Sequence, residues 1–460
     1  MKNKETNILT TDILIIGAGP AGMVTALTAM QSNPDKQVMV IKSYEKSQVP
    51  CGIPYVFGTT LGSVEKNAMV CGHNPIADKI QKITDTVTRV DIENKIVTAL
   101  NHTIKFDKLV FATGSIPFVH KNFKEALQLP NVFTIEKEYH KVEALKNYLE
   151  NQQKIIIVGT GFIGVEVATE LKSMGKEVTI IGGGHILTGA FDEDMASQAE
   201  AIMQKLNITL ALGQHASHVI EHDNLATGIE LCDGSTIDAD VIILATGYEP
   251  NTKLAEEAGL KLARYKGIWV DEYMRTKNKD IFAVGDCCGR RDFITRDPSK
   301  VMLASTSASE ARVAGGSLYK LEHLKGFDGT IAIFSTMIGD RVFASAGVTE
   351  QRAIEENIDY VSGFFESMNR HPGTIPDASK QSVKLIAIRS SGQIIGGQVI
   401  GDKEAGEMIN ILGLAIESKL TVHSLISLQV ATQPLLTSAP TTYPIVMAAQ
   451  VVLNKSKNCC

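Results

Sequence analysis

The sequence has no run of about 18 uncharged apolar residues, which argues against a membrane-spanning helix. Met1 to Thr11 is polar and has no apolar signal core. Seven cysteines in 460 residues are too few for a secreted disulfide framework, and a reducing cytoplasm fits them best. No Cys-x-x-Cys spacing occurs, so no metal site is expected. The net charge of −6 gives no reason to expect nucleic acid or an anionic membrane as partner. A hydrophobic fraction of 44% and a charged fraction of 21% are those of a globular chain with a large core, and 460 residues suggest several domains.

One pattern is present twice. Asp12 to Ile16 is a short apolar run that suits a buried parallel strand, and it ends in Gly17-x-Gly19-x-x-Gly22. A helix over 21–31 and a strand over 37–41 follow. Phe106 to Gly114 reads as another strand, closed by Ala112-Thr113-Gly114. The same order begins again at Lys154. Ile155 to Val158 leads into Gly159-x-Gly161-x-x-Gly164, a helix to about Ser173, a strand over 178–181 and a last strand ending in Ala245-Thr246-Gly247. After about residue 325 the pattern changes to antiparallel strands at 331–334, 341–344, 383–389 and 392–400, then helices at 402–418 and 443–453. The fold class is therefore α/β, with two Rossmann-like nucleotide-binding units and a C-terminal α+β unit.

In each fingerprint the first glycine makes the turn, the second admits a pyrophosphate, and the third lets helix and strand pack closely. The helix N-terminus then faces the phosphates, with Pro20 and Ala21 opening the first helix, and Phe162 and Ile163 the second. The acidic residue expected at the end of the first unit's second strand is absent. Lys42 stands near that place with Glu45 three residues on, so the ribose acceptor is Glu45 or a group elsewhere. The corresponding strand of the second unit ends Ile181-Gly182-Gly183-Gly184-His185. With neither an acid nor an arginine there, the choice between NADH and NADPH stays open, and Lys176 and His185 lean only slightly towards a phosphate.

Ile281-Phe282-Ala283-Val284-Gly285-Asp286 delivers an acceptor to a glycine turn. The turn lies beside a helix from about 305 to 316 with Ala304 at its start, and Asp286 could hold the hydroxyls of a ribityl chain. Cys51 lies in Val49-Pro50-Cys51-Gly52-Ile53-Pro54-Tyr55, and no second cysteine follows within four or five residues. A helix opening at Gly52 would favour the Cys51 thiolate through its N-terminus. Cys287 and Cys288 read as buried small residues, and Cys71 and Cys232 as structural.

In this order the motifs resemble those of the flavin-dependent pyridine nucleotide-disulfide oxidoreductases, from about residue 11 to 453. They are Gly17-Ala18-Gly19-Pro20-Ala21-Gly22, Cys51-Gly52-x-Pro54-Tyr55, Ala112-Thr113-Gly114-Ser115, Gly159 to Glu166, Ala245-Thr246-Gly247 and Phe282 to Asp286. The lone Cys51 makes the chain similar to the single-cysteine branch, which holds coenzyme A disulfide reductases, NADH oxidases, NADH peroxidases and persulfide reductases. His371-Pro372-Gly373 and Ile394 to Gln398 add to the likeness. The resemblance implies FAD, NADH or NADPH, and a homodimer whose C-terminal unit faces the partner's active site. It implies an FAD-binding domain from 1–118 and 246–325, a NAD(P)-binding domain from 119–245, a dimerisation domain from 326–453 and a mobile tail from 454–460. Glu166 matches a position usually acidic in such nicotinamide domains.

Three departures bear on activity. Pro20 stands where the oxidases and peroxidases of this branch carry histidine. Ala431-Thr432-Gln433-Pro434 stands where the two-cysteine enzymes carry an acid–base histidine, which leaves Tyr443 and Tyr55 as expected proton donors. The tail ends in Cys459-Cys460, similar to the shuttling pairs of mercuric reductases and large thioredoxin reductases, and seven extended residues reach roughly 23 Å. The leading expectation is reduction of coenzyme A disulfide, persulfide or polysulfide. The alternatives are an NADH oxidase or peroxidase, or a tail-assisted reductase of protein disulfides or mercuric ion.

Overall fold

The computed structural model describes residues 8–69, 75–321 and 325–457. Ile8–Ile16 (β1), Pro20–Ser32 (α1) and Val38–Lys42 (β2) open the first sheet. Gln81–Thr84 (β3), Val87–Asp91 (β4), Ile96–Ala99 (β5) and Thr103–Phe111 (β6) extend it in the order β3-β2-β1-β6-β5-β4. β1 pairs in parallel with β2 and β6, and β5 and β4 add on antiparallel. Ile13, Leu14 and Ile15 are fully buried, as an unbroken apolar strand covered on both faces must be.

Ser115–Pro117 (β7) leaves this sheet, and Val132–Thr134 (β8) and Tyr139–Leu149 (α2) enter the second unit. Lys154–Val158 (β9), Phe162–Ser173 (α3), Glu177–Gly182 (β10), Glu193–Lys205 (α4) and Thr209–Leu212 (β11) follow. Ala216–His222 (β12), Leu225–Leu231 (β13) and Thr236–Asp238 (β14) form a separate antiparallel sheet. Val241–Leu244 (β15) completes the parallel sheet β11-β10-β9-β15-β8. Tyr248–Pro250 (β16) then pairs antiparallel with β7. After Lys253–Glu257 (α5), Ile281–Ala283 (β17) joins β6 in parallel, so the first sheet is closed by a strand from beyond the second unit. Arg290–Arg291 (β18) and Pro298–Ser299 (β19) form a short ladder before Ala304–Ser317 (α6), which packs on α1.

The C-terminal layer holds Phe334–Ile338 (β20), Arg341–Gly347 (β21), Glu350–Glu355 (α7), Tyr360–Met368 (β22), Lys380–Ile388 (β23) and Ile394–Gly401 (β24). Its antiparallel order is β20-β21-β24-β23-β22. Ala405–Glu417 (α8), Val422–Ile426 (α9) and Pro444–Lys457 (α10) complete it, and these helices pack against the sheet. Among the described residues no helix is long and apolar enough to cross a membrane.

Three expectations change. The first strand of the layer begins at Phe334 rather than residue 331. β22 has no counterpart in the sequence reading, because Gly363 and the polar Ser362, Glu366 and Ser367 blur its alternation. The tail expected from residue 454 is helical through Lys457, since Val452 is fully buried and the basic Lys455 and Lys457 suit a helix C-terminus. Cys459 and Cys460 lie outside the described residues, as does Cys71.

Candidate active site

The two fingerprints fold into the same cradle. Gly17 has φ +112°, and a Cβ there would stand 2.2 Å from the Ala112 carbonyl oxygen. A Cβ on Gly22 would stand 2.0 Å from the oxygen of Gly17. Gly159 and Gly164 repeat this against Ala245 and Gly159, at 2.3 Å each. Gly19 and Gly161 face open space, with nothing within 4 Å. The outer glycines are thus fixed by packing and the central ones by what must lie above them. Pro20 and Ala21 open α1, Phe162 and Ile163 open α3, and both helix N-termini point at these spaces. A cavity of about 360 Å³ lies beside the first cradle, lined by Ala18, Met23, Lys42, Glu45 and Lys46. There the Lys42 ammonium donates to the Glu45 backbone carbonyl. These features fit a dinucleotide at each cradle.

The two Ala-Thr-Gly turns meet across β7 and β16. The Thr113 hydroxyl donates to the Asn251 carbonyl and the Thr246 hydroxyl to the Phe118 carbonyl, each at 2.6 Å. The Asn251 N–H reaches the Gly114 carbonyl and the Phe118 N–H the Gly247 carbonyl, both at 2.9 Å. Both chain crossings between the units are therefore tied to each other. Gly285, at φ +75°, sets Asp286 beside the first cradle, its ideal Cβ only 2.8 Å from Ala21. Asp286 accepts from Ser115 at 2.8 Å and from the Lys137 ammonium at 2.9 Å. Burial works to raise the Asp286 pKa, but Lys137, with Arg290 and Ser115, holds it below the ordinary carboxylate range. Ala304 begins α6 just beyond. Lys137 was invisible in the sequence: it sits in an unremarkable Glu-Lys-Glu run, and only the crossover of the chain brings it to Asp286.

Cys51 is exposed on a 3-10 turn over Pro50–Gly52, followed by a second over Pro54–Val56. The helix expected to open at Gly52 does not form. Pro54 has no N–H to return to the Pro50 carbonyl, and Ile53, Val56 and Phe57 bond three residues back instead. The thiol therefore gains no helix N-terminus. The protein walls around it strip water and raise its pKa, Glu166 and Asp286 raise it further, and Lys137 opposes them. Asn67 pins the turn, donating to the Gln48 side chain and the Val49 carbonyl at 3.0 and 3.1 Å. Its side-chain oxygen lies 2.0 Å from where a Cβ on Gly52 would be, so only glycine fits there.

The segment after Cys51 packs into the second unit. Ile53, Val56, Phe57 and Val64 share a core cluster with Val165, Ala168 and Leu171 of α3. Glu166 and Glu170, four residues apart, lie on one face of α3 and both meet this segment. Thr60 bonds Glu170 at 2.5 Å through its hydroxyl, and Tyr55 hydrogen-bonds Glu166. From the C-terminal layer, Thr336 of β20 donates to Glu166 at 2.8 Å, while Phe334 stacks on Phe162 with ring centroids 4.8 Å apart. Glu166 is thus a junction of all three units. Burial pushes its pKa up to about 7, against the hydrogen bonds of Thr336 and Tyr55. Burial and the Glu166 carboxylate together hold the Tyr55 hydroxyl protonated well above its ordinary range.

Other expected residues lie apart. Tyr443 is packed in the C-terminal core, 7% exposed, and burial raises its pKa. A histidine from a distant segment lies beside Gln433-Pro434. The His371 N–H donates to the Pro434 carbonyl at 3.2 Å, and its Nδ1 lies 2.9 Å from the Thr437 carbonyl oxygen. Sixty residues of intervening chain hide this in the sequence. Lys176, considered for a nucleotide phosphate, precedes β10 at the end away from the cradle and donates to the carbonyls of Glu150 and Gln152. His218 and His222 have a helical ligand spacing but lie on β12, where four residues span about 13 Å. Asp192, Asp194 and Glu350 converge closely enough to attract a cation, and the buried Lys384 ammonium bridges all three.

Two dinucleotide cradles tied to each other, with a thiol-bearing turn packed on the second, define a two-unit α/β nucleotide-binding oxidoreductase. The sequence matches the family model described as pyridine nucleotide-disulphide oxidoreductase over residues 11–311, and the dimerisation domain of that family over residues 333–444. The chain belongs to this family, and it is a flavin-dependent NAD(P)H oxidoreductase. It is similar to an NADH oxidase of Methanocaldococcus jannaschii, 29% identical over 97% of this chain and 99% of that protein. It is also similar to an NAD(P)H sulfur oxidoreductase (CoA-dependent) of Pyrococcus furiosus, 28% identical over 96% and 98%. The solved NAD-dependent persulfide reductase from A. fulgidus superposes with a TM-score of 0.89 at 28% identity, covering 97% of this chain and 84% of that one.

Proposed function

We propose that this protein reduces a small disulfide, persulfide or polysulfide, of the coenzyme A class, with electrons from NAD(P)H and with Cys51 as its redox thiol. The observation that carries this reading is an exposed thiol on a pinned turn, wedged between the two cradles and within the field of Lys137, Glu166 and Asp286. FAD held by Gly17, Gly19, Gly22 and Asp286, when bound, supplies the route by which nicotinamide electrons reach sulfur. The Cys51 thiolate attacks the outer sulfur of the substrate, forming a mixed disulfide and releasing one thiolate, which takes a proton. Two electrons from NAD(P)H, with a second proton, then cleave the mixed disulfide, release the other thiol and restore Cys51. Lys137 is the cation that favours the thiolate, and Tyr55, protonated and bonded to Glu166, is a proton donor at hand. Dimerisation is supported by exposed apolar residues on the C-terminal layer, including Leu414, Leu435, Leu436 and Phe364.

A second reading, an NADH oxidase, is supported by the name of the M. jannaschii relative. Anaerobic reduction of the wild type and of Cys51→Ser with NADH and NADPH, followed by polysulfide, coenzyme A disulfide, peroxide and oxygen as acceptors, separates the two. The sulfur reading requires a long-wavelength thiolate–flavin absorption band in the wild type only, and turnover on sulfur acceptors that Cys51→Ser loses. A band that persists in Cys51→Ser would sink the role given to Cys51.

A further inference from the structure

In an open parallel sheet the nucleotide lies outside the carboxyl ends of the strands, and the end of the second strand decides what meets the 2′ position of the adenosine ribose. A carboxylate there accepts from the free hydroxyls and repels a 2′-phosphate. In the second unit that strand is β10, and it runs out into Gly182-Gly183-Gly184. These glycines carry no side chains, but a side chain from elsewhere in the unit stands over each. A Cβ on Gly182 would stand 2.4 Å from the Thr160 methyl group, one on Gly183 2.1 Å from the His215 ring, and one on Gly184 2.6 Å from the Thr188 hydroxyl. A side chain at Gly183 would have to displace the His215 ring, which occupies the place where a carboxylate would stand.

His215 reaches Gly183 because β11 pairs with β10 in register, Gly182 opposite Leu212, so that the turn after β11 overhangs the glycines. The turn is fixed by the Cys232 N–H, which donates to the His215 carbonyl at 2.9 Å. The loop beyond the glycines folds back onto the fingerprint, the Leu187 N–H meeting the Thr160 carbonyl at 2.8 Å. His185 is on this loop, its Nδ1 2.9 Å from the Ile186 carbonyl oxygen. Glu200 is the carboxylate that comes close, and it is engaged by the Ile186 N–H at 3.2 Å. The Thr188 hydroxyl donates to the His185 carbonyl, so the group over the strand end that can still donate to a phosphate is the His215 imidazole, where an acceptor-only carboxylate would otherwise stand.

We propose that the second nucleotide site is built for a 2′-phosphorylated nucleotide, NADPH in preference to NADH, and that His215 is the residue that sets this preference. The proposal rests on the nicotinamide reading of that site. Neither a lysine nor an arginine is needed for it, and the sequence motif that usually betrays such a site is accordingly missing.

The test uses the flavin-loaded protein and two probes without nicotinamide, adenosine 2′,5′-bisphosphate and 5′-AMP, with binding measured by calorimetry at one fixed pH. The wild type should bind the bisphosphate at least tenfold more tightly. His215→Ala should lose most of that ratio while its affinity for 5′-AMP stays within about twofold. His215→Gln, which keeps a donor, should retain part of the ratio, and unchanged flavin content and circular dichroism in both variants show that the fold survives. Equal affinity of the wild type for the two probes overturns the proposal and leaves the nicotinamide reading standing. A ratio that survives in His215→Ala overturns the role of His215. No binding of either probe, nor of NADH, overturns the proposal together with the reading it rests on.

Discussion

Removal of the Glu310 carboxylate should loosen the turn that presents Asp286. Glu310 lies on α6 and Arg290 on β18, and their side chains are 0% and 3% exposed. Arg290 Nε stands 3.2 Å from Glu310 Oε1, and Arg290 also donates to the carbonyls of Val301 and Gly285. The other Glu310 oxygen accepts the Gly285 N–H at 2.9 Å. In Glu310→Leu the buried guanidinium keeps only Asp286, already engaged by Lys137, as a counter-charge, a loss that typically costs about 3–5 kcal/mol. For a unit of this size that is on the order of 10 °C in Tm. Arg290→Met combined with Glu310→Leu removes both charges and strands the Gly285 N–H together with the Val301 and Gly285 carbonyls. Each unpaired buried group costs about 1–3 kcal/mol, so the three together cost about as much as the lone guanidinium, and the double variant should melt close to Glu310→Leu. The assay is release of flavin fluorescence on heating at fixed protein and flavin concentrations, with circular dichroism alongside. A Glu310→Leu variant that melts within about 2 °C of the wild type would refute the argument.

Glu166 keeps its proton up to about pH 7 in the folded protein, against a reference of 4.5, so its contribution to stability is complete below about pH 4.5 and is lost as pH rises through 7. Glu166→Gln should flatten that part of the Tm–pH curve, and an unchanged slope would count against the burial of this carboxyl. Gly22→Val drives a side chain into the Gly17 carbonyl and should fail to fold, whereas Gly19→Val points into open space and should fold with normal circular dichroism yet hold little flavin. Retention of flavin by Gly19→Val would place the pyrophosphate elsewhere.

Much of the architecture was legible because it is written in local signals. Apolar runs that end in glycine, and the repeated Ala-Thr-Gly, mark buried parallel strands and their turns without knowledge of the rest. The same strength misleads at Gly52, where a glycine after a cysteine suggests a helix but the two flanking prolines enforce 3-10 turns. The residues that surround Cys51 were legible only in part. Glu166 and Asp286 sit in motifs. Lys137, Asn67 and Thr336 do not, and they reach their partners across 149, 18 and 170 residues of chain. His371 and His215 were hidden likewise, one by a sixty-residue excursion and the other by strand register. β22 was missed for a different reason, since half its residues are polar or small and its burial comes from α10 lying across Gly363.

The paired crossings at β7 and β16 have a consequence for how the molecule can be taken apart. The second unit is an insertion whose entry and exit strands leave the first unit side by side, zipped from Ser115–Pro117 to Tyr248–Pro250. Cutting both strands at that ribbon would release it with its two ends already adjacent, as a cassette rather than a fragment. A nucleotide unit of other specificity could be transplanted there with no linker to design, provided the two threonine clamps are kept. Such a graft would leave Asp286 and the first cradle intact but would have to rebuild the face of α3 that carries Glu166 and Glu170, because the Cys51 segment packs there. The seam for exchange is thus at the ribbon, while the true dependence between the units is on that helix face.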